Sequence, residues 1–416
     1  VAFAEVAVIG AGAAGLVCAR ELTRAGLSAT VFEASDDIGG TWIYDPSAGV
    51  HGSMYASLRT NLPTDLMAFR DFPFDARGGG EAQWPRFVGH REVRIYLERF
   101  AQTFGVLEQI RFNHRVESVE RRGHRWILRT RDRQDRASVG GFDGVAVCNG
   151  HYHRPEVPDL PGLEQFAGRV VHSHDYRVPD PYRGRRVAIL GAKSSGIDIS
   201  GELAGVAAEV FLCARDQQGA PQRTGIEVRA PIASIEGQTL ELADGSRLEH
   251  IDDLLLCTGY CYDFPFFPAR PDFVTLEPKW IHPLWLDLIA IRAPNLAFIG
   301  LPFQVVPFPQ MEIQARVFAH LLSGRIVLPR PAMLLQEHAR KVAALQAAGV
   351  ARRHYFRHGA QQFAYYDALA RRVGSPPLPP WFQPLYEATS AAKRADPDGY
   401  RDAVLPAGDR VPATSA

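Results

Sequence analysis

The sequence predicts an α/β protein with two dinucleotide-binding, Rossmann-like domains, the first discontinuous in sequence, followed by a helical C-terminal tail. Two glycine-rich turns, each set between a short β-branched run and a helix-like stretch, predict the two domains. Apolar runs that resume after the second unit predict a return of the chain to the first.

The first unit opens on Glu5–Ile9, a β-branched run that reads as a strand. It passes through Gly10-Ala11-Gly12-Ala13-Ala14-Gly15 into an Ala/Leu-rich helix ending near Ala25. A second buried strand, 29–32, ends at Glu33, which lies 23 residues after Gly10. An arginine-rich β-like region, 116–131, and a strand, 145–148, read as outer layers of the same domain. Pro155, Pro158, Pro161, Pro179 and Pro181 flank the entry to the second unit, as expected of crossings between domains. That unit repeats the pattern with Arg186–Leu190, the turn 191–196, a helix and a strand over 209–212. A strand over 254–257 ends at Thr258-Gly259. A strand over 296–300 and a helix over 310–322 read as the return to the first domain. The expected boundaries are 1–165 with 296–330 for the first dinucleotide-binding domain, 166–295 for the second, and 331–416 for a helical extension packing on the first. The extension carries helical patterning and no recognisable chemistry.

A length of 416 residues fits two or three domains, and 46% hydrophobic with 22% charged residues is the composition of a globular chain. Lys+Arg and Asp+Glu both number 46, so no summed field recruits nucleic acid or an acidic membrane. No uninterrupted apolar run approaches the roughly eighteen residues a spanning helix needs. The five cysteines are odd in number and scattered, and most sit in apolar runs, which implies reduced, buried thiols and a cytoplasmic setting. Cys257 and Cys261 are too far apart for a redox dithiol, and no second pair completes a zinc site. His172 and His174 lack further ligands at a suitable spacing, so no metal is expected. The span 121–136 mixes acids with its arginines and reads as a solvated strand face.

The turn glycines have separate tasks: Gly10 permits the bend, Gly12 admits a pyrophosphate, and Gly15 allows close helix packing. Glu33 is placed to accept hydrogen bonds from a ribose, which suits the unphosphorylated adenosine of FAD. In the second turn, formed by Gly191, Ala192, Lys193, Ser194, Ser195 and Gly196, the corresponding position is Ala214, followed by Arg215. An acid there would repel a 2′-phosphate whereas Arg215 pairs with one, so NADPH is expected over NADH. Lys193 stands in place of the middle glycine, and three outcomes stay open: it crowds the pyrophosphate, reaches a phosphate, or swings outward. Ala13, Ala14 and Val116 complete the candidate cofactor contacts of the first domain.

Several further segments resemble the flavin-containing monooxygenase family in order, over roughly residues 5–330. Gly39-Gly40-Thr41-Trp42 is similar to the family's flavin-side turn, and Met54-Tyr55-Ala56-Ser57-Leu58-Arg59-Thr60-Asn61-Leu62-Pro63 to its active-site stretch. Phe166, Gly168, His172 and Tyr176-Arg177 fit its fingerprint between the nucleotide units. Leu256-Cys257-Thr258-Gly259-Tyr260 resembles its downstream signature, with Cys257 in place of alanine. Gly300-Leu301-Pro302-Phe303, Pro307-Phe308-Pro309 and Pro397-Asp398-Gly399-Tyr400-Arg401-Asp402 look most like the plant branch. The resemblance implies an NADPH-dependent, FAD-containing monooxygenase that forms a flavin C4a-hydroperoxide and passes one oxygen atom of O2 to a thioether sulfur or an amine nitrogen. It gives Asn61 the catalytic role near the flavin, and Gly40, Thr41, Trp42, Thr258 and Gly259 cofactor contacts. Lys193 departs from the family fingerprint. Baeyer–Villiger relatives usually carry tryptophan where this chain has Tyr176, which sets that chemistry second beside N-hydroxylation and a peroxide-forming NADPH oxidase or sensor.

Overall fold

The computed structural model describes residues 4–47, 52–74, 84–217, 220 and 223–406. Two mainly parallel sheets organise the chain, one for each glycine-rich turn. In the first, Glu5–Ile9 lies between Ser28–Phe32 and Gly144–Val147, paired in parallel to both. Its Val6, Ala7 and Val8 are fully buried, as a strand covered on both faces requires. The helix Ala13–Arg24 crosses from this strand to Ser28–Phe32, and Gly26, at φ +83°, ends it in a left-handed turn. The second sheet runs in the order Glu227–Arg229, Glu209–Cys213, Arg186–Leu190, Asp253–Leu256 and Arg169–His172, all neighbours parallel. Both turns therefore lie at the carboxyl ends of central strands, where open α/β sheets bind their ligands.

The arginine-rich region is an antiparallel meander, His114–Arg122, Arg125–Asp132 and Ala137–Phe142, laid against the first unit. Trp126 and Leu128 on its inner face are fully buried.

The return to the first sheet comes earlier than residue 296. Leu284–Trp285 and Ile289–Ala290 form an antiparallel hairpin at the edge of that sheet, ahead of the parallel strand Leu296–Phe298. Tyr262, Phe264, Phe266 and Phe267 already share a core with Ile9 and Val147. Each hairpin strand is two residues long, which leaves no periodicity to read. The returning helix, Pro307–Leu322, also starts before residue 310, because its first turn tolerates Pro307 and Pro309.

Two crossings join the units side by side, Arg154–Pro155 pairing antiparallel with Tyr260–Cys261. The tail folds as helices Pro331–Ala347, Gln362–Arg372 and Phe382–Ala395. Leu334, Tyr366, Leu369 and Ala370 join the core of the first unit. The final turn, Tyr400–Asp402, does more than pack on that unit, because the residues around it also bind the second.

Candidate functional site

Steric limits shape the first turn. Gly10 has φ +102°, and a Cβ there would stand 2.7 Å from the Cys148 carbonyl oxygen. A Cβ on Gly15 would meet the Gly10 carbonyl oxygen at 1.8 Å, so strand and helix approach only through glycine. Gly12 caps the helix without a side-chain hydrogen bond and the first helical turn holds no acid, which leaves the amides of Ala13, Ala14 and Gly15 suited to an anion. Glu33 is buried and braces the turn. Its Oε2 accepts the Ala11 amide at 2.7 Å, and its Oε1 accepts the Ser35 amide at 2.9 Å and hydroxyl at 2.8 Å. A carboxylate has about four lone-pair positions, so acceptor capacity remains. The His114 amide donates to the Glu33 carbonyl at 2.7 Å, which starts the strand bearing buried Val116 beside the same turn.

The segment Gly40–Trp42 folds over this turn. The Gly39 amide donates to the Ala11 carbonyl at 3.1 Å, and a Cβ on Gly40 would lie 3.1 Å from the Gly12 Cα. The Thr41 hydroxyl is 3.3 Å from that of Ser53. Trp42 meets Phe308, near the start of the returning helix, edge-on at 6.5 Å between centroids. Residues from distant parts of the sequence thus gather around the first turn. His151 lies just beyond the strand Gly144–Val147, its ring 5.5 Å from that of Tyr262. Burial and, after it, His153 push its imidazole down to about 4.

The second turn repeats the geometry, with Gly191 at φ +110° and the Cβ position of Gly196 only 1.8 Å from the Gly191 carbonyl oxygen. Lys193 caps the helix Ser194–Leu203 without a side-chain bond, again with no acid in the first turn. Lys193, Ser194 and Ser195 are exposed. The Lys193 ammonium therefore stands in solvent at the rim of the turn, and its charge reaches the tail. The His354 imidazole is pushed down by burial and then by Arg357, Arg353, Lys193 and Lys279. Arg215 is exposed two residues past the strand Glu209–Cys213. Thr258 and Gly259 stand at the crossing between the units. The Thr258 hydroxyl donates to the Glu156 carbonyl, and the Gly259 carbonyl accepts the Glu156 amide at 2.8 Å and lies 3.1 Å from His172 Nε2.

The stretch 54–63 is held mainly from outside the first unit. Tyr55 donates its hydroxyl to Asp198 at 3.2 Å, and Ser57 and Tyr176 both bind Glu202; Asp198 and Glu202 lie on the helix of the second turn. Burial, reinforced by Asp198 and Glu202, drives the Tyr55 phenol far up, so it stays protonated. Arg177 is buried and donates to the carbonyls of Asp45 at 2.7 Å, Gly52 at 2.9 Å, His174 at 2.6 Å and Tyr176 at 3.0 Å. Asn61 is exposed, and its Oδ1 accepts from Lys393 Nζ at 3.3 Å, the Tyr400 hydroxyl at 3.2 Å and Arg401 Nη2 at 3.1 Å. The tail read as lacking chemistry therefore contributes three donors to the candidate catalytic residue. The only trace of this in the sequence is the resemblance over residues 397–402. Among the described residues, no group of three or more His, Cys, Asp or Glu is placed to hold a metal ion, and no helix is long and apolar enough to cross a membrane.

Known proteins match this arrangement along most of the chain. A family model described as flavin-binding monooxygenase-like matches residues 4–224 and 222–385. Flavin-containing monooxygenase FMO GS-OX-like 4 of Arabidopsis thaliana is 38% identical over 423 residues, covering 96% of this chain and 93% of its own. The solved structure of S-allyl-L-cysteine S-oxygenase from Allium sativum superposes with a TM-score of 0.91 at 36% identity, covering 96% of this chain and 95% of its own. The crystal structure of Tmm from Pelagibacter sp. strain HTCC7211 shares the fold, with a TM-score of 0.83 at 24% identity over 96% of this chain and 93% of its own.

Proposed function

The chain belongs to the flavin-binding monooxygenase-like family, and from that premise we propose that it is an FAD- and NADPH-dependent S-oxygenase of small thioethers. Family membership makes it a flavin monooxygenase, an oxidoreductase that takes O2 and a small-molecule substrate. The observation that carries the substrate class is its likeness, over 96% of the chain and at 36% identity, to an S-oxygenase of S-allyl-L-cysteine.

FAD, when bound, supplies the redox chemistry, accepting reducing equivalents from NADPH and activating O2. The chain's own part is binding, orientation and the exclusion of water. In this reading the amides of Ala13, Ala14 and Gly15 take the FAD pyrophosphate, and Glu33 uses its remaining acceptor capacity on the adenosine ribose. Gly40, Thr41, Trp42 and Val116 line the flavin side, and Thr258 and Gly259 close it at the crossing. The second turn, through Ser194, Ser195 and Gly196, takes the NADPH pyrophosphate, while Lys193 and Arg215 supply positive charge from its rim. The Asn61 carboxamide is the polar group that faces the oxygenation chemistry. The five unpaired cysteines, four of them buried, suit a reducing compartment, and the cytoplasm is the setting proposed.

The test is stoichiometric. With NADPH, O2 and a methyl thioether, the purified flavoprotein is expected to yield close to one sulfoxide per NADPH consumed. NADPH oxidation that releases only hydrogen peroxide would exclude oxygenation, and preferred formation of an amine N-oxide or of an ester from a ketone would reassign the substrate class.

A further inference from the structure

We propose that residues 393–402 form a strap that positions Asn61, with Tyr400 and Arg401 as its working groups. The inference rests on the reading of Asn61 as the amide that faces the oxygenation chemistry. Lysine and arginine only donate, so Lys393 and Arg401 fix the oxygen end of the carboxamide toward the strap. The Tyr400 hydroxyl adds a third donor to the same oxygen. The NH2 group is thereby the end the amide presents away from the strap. An exposed asparagine would otherwise rotate freely about its side-chain torsions.

Arg401 also fixes the backbone beneath that amide. Its Nε donates to the Thr60 carbonyl at 3.1 Å, while Nη2 also reaches Asp198 at 3.1 Å. One guanidinium thus touches the Asn61 segment and the helix of the second glycine turn. The strap has a second anchor on that unit, Asp398 paired with buried Arg223 at 2.8 Å. On the first unit, Asp402 pairs with Arg59 at 3.1 Å, and the Tyr400 ring, only 1% exposed, packs edge-on against Phe87 at 5.5 Å. Burial pushes the Tyr400 phenol up to about 12, which keeps it a donor across the working pH range. Because the strap holds both units, the orientation of Asn61 depends on the second unit being docked.

The test uses the full-length flavoprotein and the variants Tyr400→Phe, Arg401→Gln and Arg401→Lys. Tyr400→Phe removes one oxygen and keeps the ring packing, so it separates positioning from folding. Amide exchange over residues 58–62 is expected to quicken by roughly fivefold in Tyr400→Phe and Arg401→Gln, about what one lost hydrogen bond is worth. Sulfoxide formed per NADPH should fall several-fold while KM for NADPH stays within about twofold, since the loss is not in nucleotide binding. Arg401→Lys should recover part of the coupling. Unchanged exchange in both variants overturns the proposal, and so does faster exchange with undiminished coupling, because the strap would then be merely structural. If the unmodified protein forms no oxygenated product, the S-oxygenase reading fails, and the exchange measurement alone decides whether the strap holds Asn61.

Discussion

Arg215 stands in solvent two residues beyond the strand Glu209–Cys213, at the point where a Rossmann unit discriminates the adenosine ribose. A charge-assisted contact to a 2′-phosphate is worth enough that Arg215→Ala should raise KM for NADPH about tenfold while leaving KM for NADH near its original value. Steady-state kinetics with both nucleotides checks this, and equal effects would remove Arg215 from the role. His151 makes a prediction about acidity. Its imidazole lies at about 4 in the folded protein against an ordinary 6.5, chiefly through burial. Between those values the unfolded chain binds a proton that the folded chain refuses, so stability rises with pH across the window. The contribution is fully present above pH 6.5 and lost as pH falls through 4. His151→Gln should flatten the dependence of Tm on pH in that interval, and parallel curves for the two proteins would sink the assignment.

At the scale of elements, the two glycine turns were the most legible features of the sequence because sterics leaves no alternative to glycine there. The Cβ position 1.8 Å from a backbone oxygen at Gly15 and again at Gly196 gives each turn its own test. Gly196→Ala should keep the flavin absorbance of the purified protein and abolish saturable NADPH binding, whereas Gly15→Ala should lose flavin. Overpacking of this kind costs about 1–3 kcal/mol or more, which both turns would relieve by opening. A Gly196→Ala protein with unchanged KM for NADPH would show that the second turn is not the nucleotide site. Other elements left little for a reader of the sequence. The hairpin Leu284–Trp285 and Ile289–Ala290 is too short for a period. In the structure Arg20 is buried on Glu21 and on Glu312, the latter on the returning helix, and it lies 4.9 Å over the Phe100 ring. A buried charge is legible only when its partners are known, and one of them is 292 residues away.

On the scale of the whole molecule, each unit is held to the other by long side chains that end on backbone or on the opposite unit's helix. The same feature explains why the candidate site was only half readable. The turn residues are legible from local patterns and Asn61 only through the family resemblance, while the donors that surround Asn61 come from more than 330 residues further along the chain. In the sequence Arg177 is part of a fingerprint without a role, and the structure supplies one. Four of its five donors are spread over four carbonyls, those of Asp45 and Gly52 and those of His174 and Tyr176 in the crossing. Only a planar guanidinium spans acceptors in that pattern; an ammonium on a flexible stem reaches one or two of them. Arg177→Met would leave buried carbonyls without a donor, at about 1 kcal/mol or more each, so a loss on the order of 3 kcal/mol is expected. Arg177→Lys should recover only a minor part of that, although it restores the charge. Denaturant unfolding of the flavin-loaded protein measures both, and a lysine variant as stable as the original would mean that charge, rather than the fork of donors, holds the crossing to the first unit.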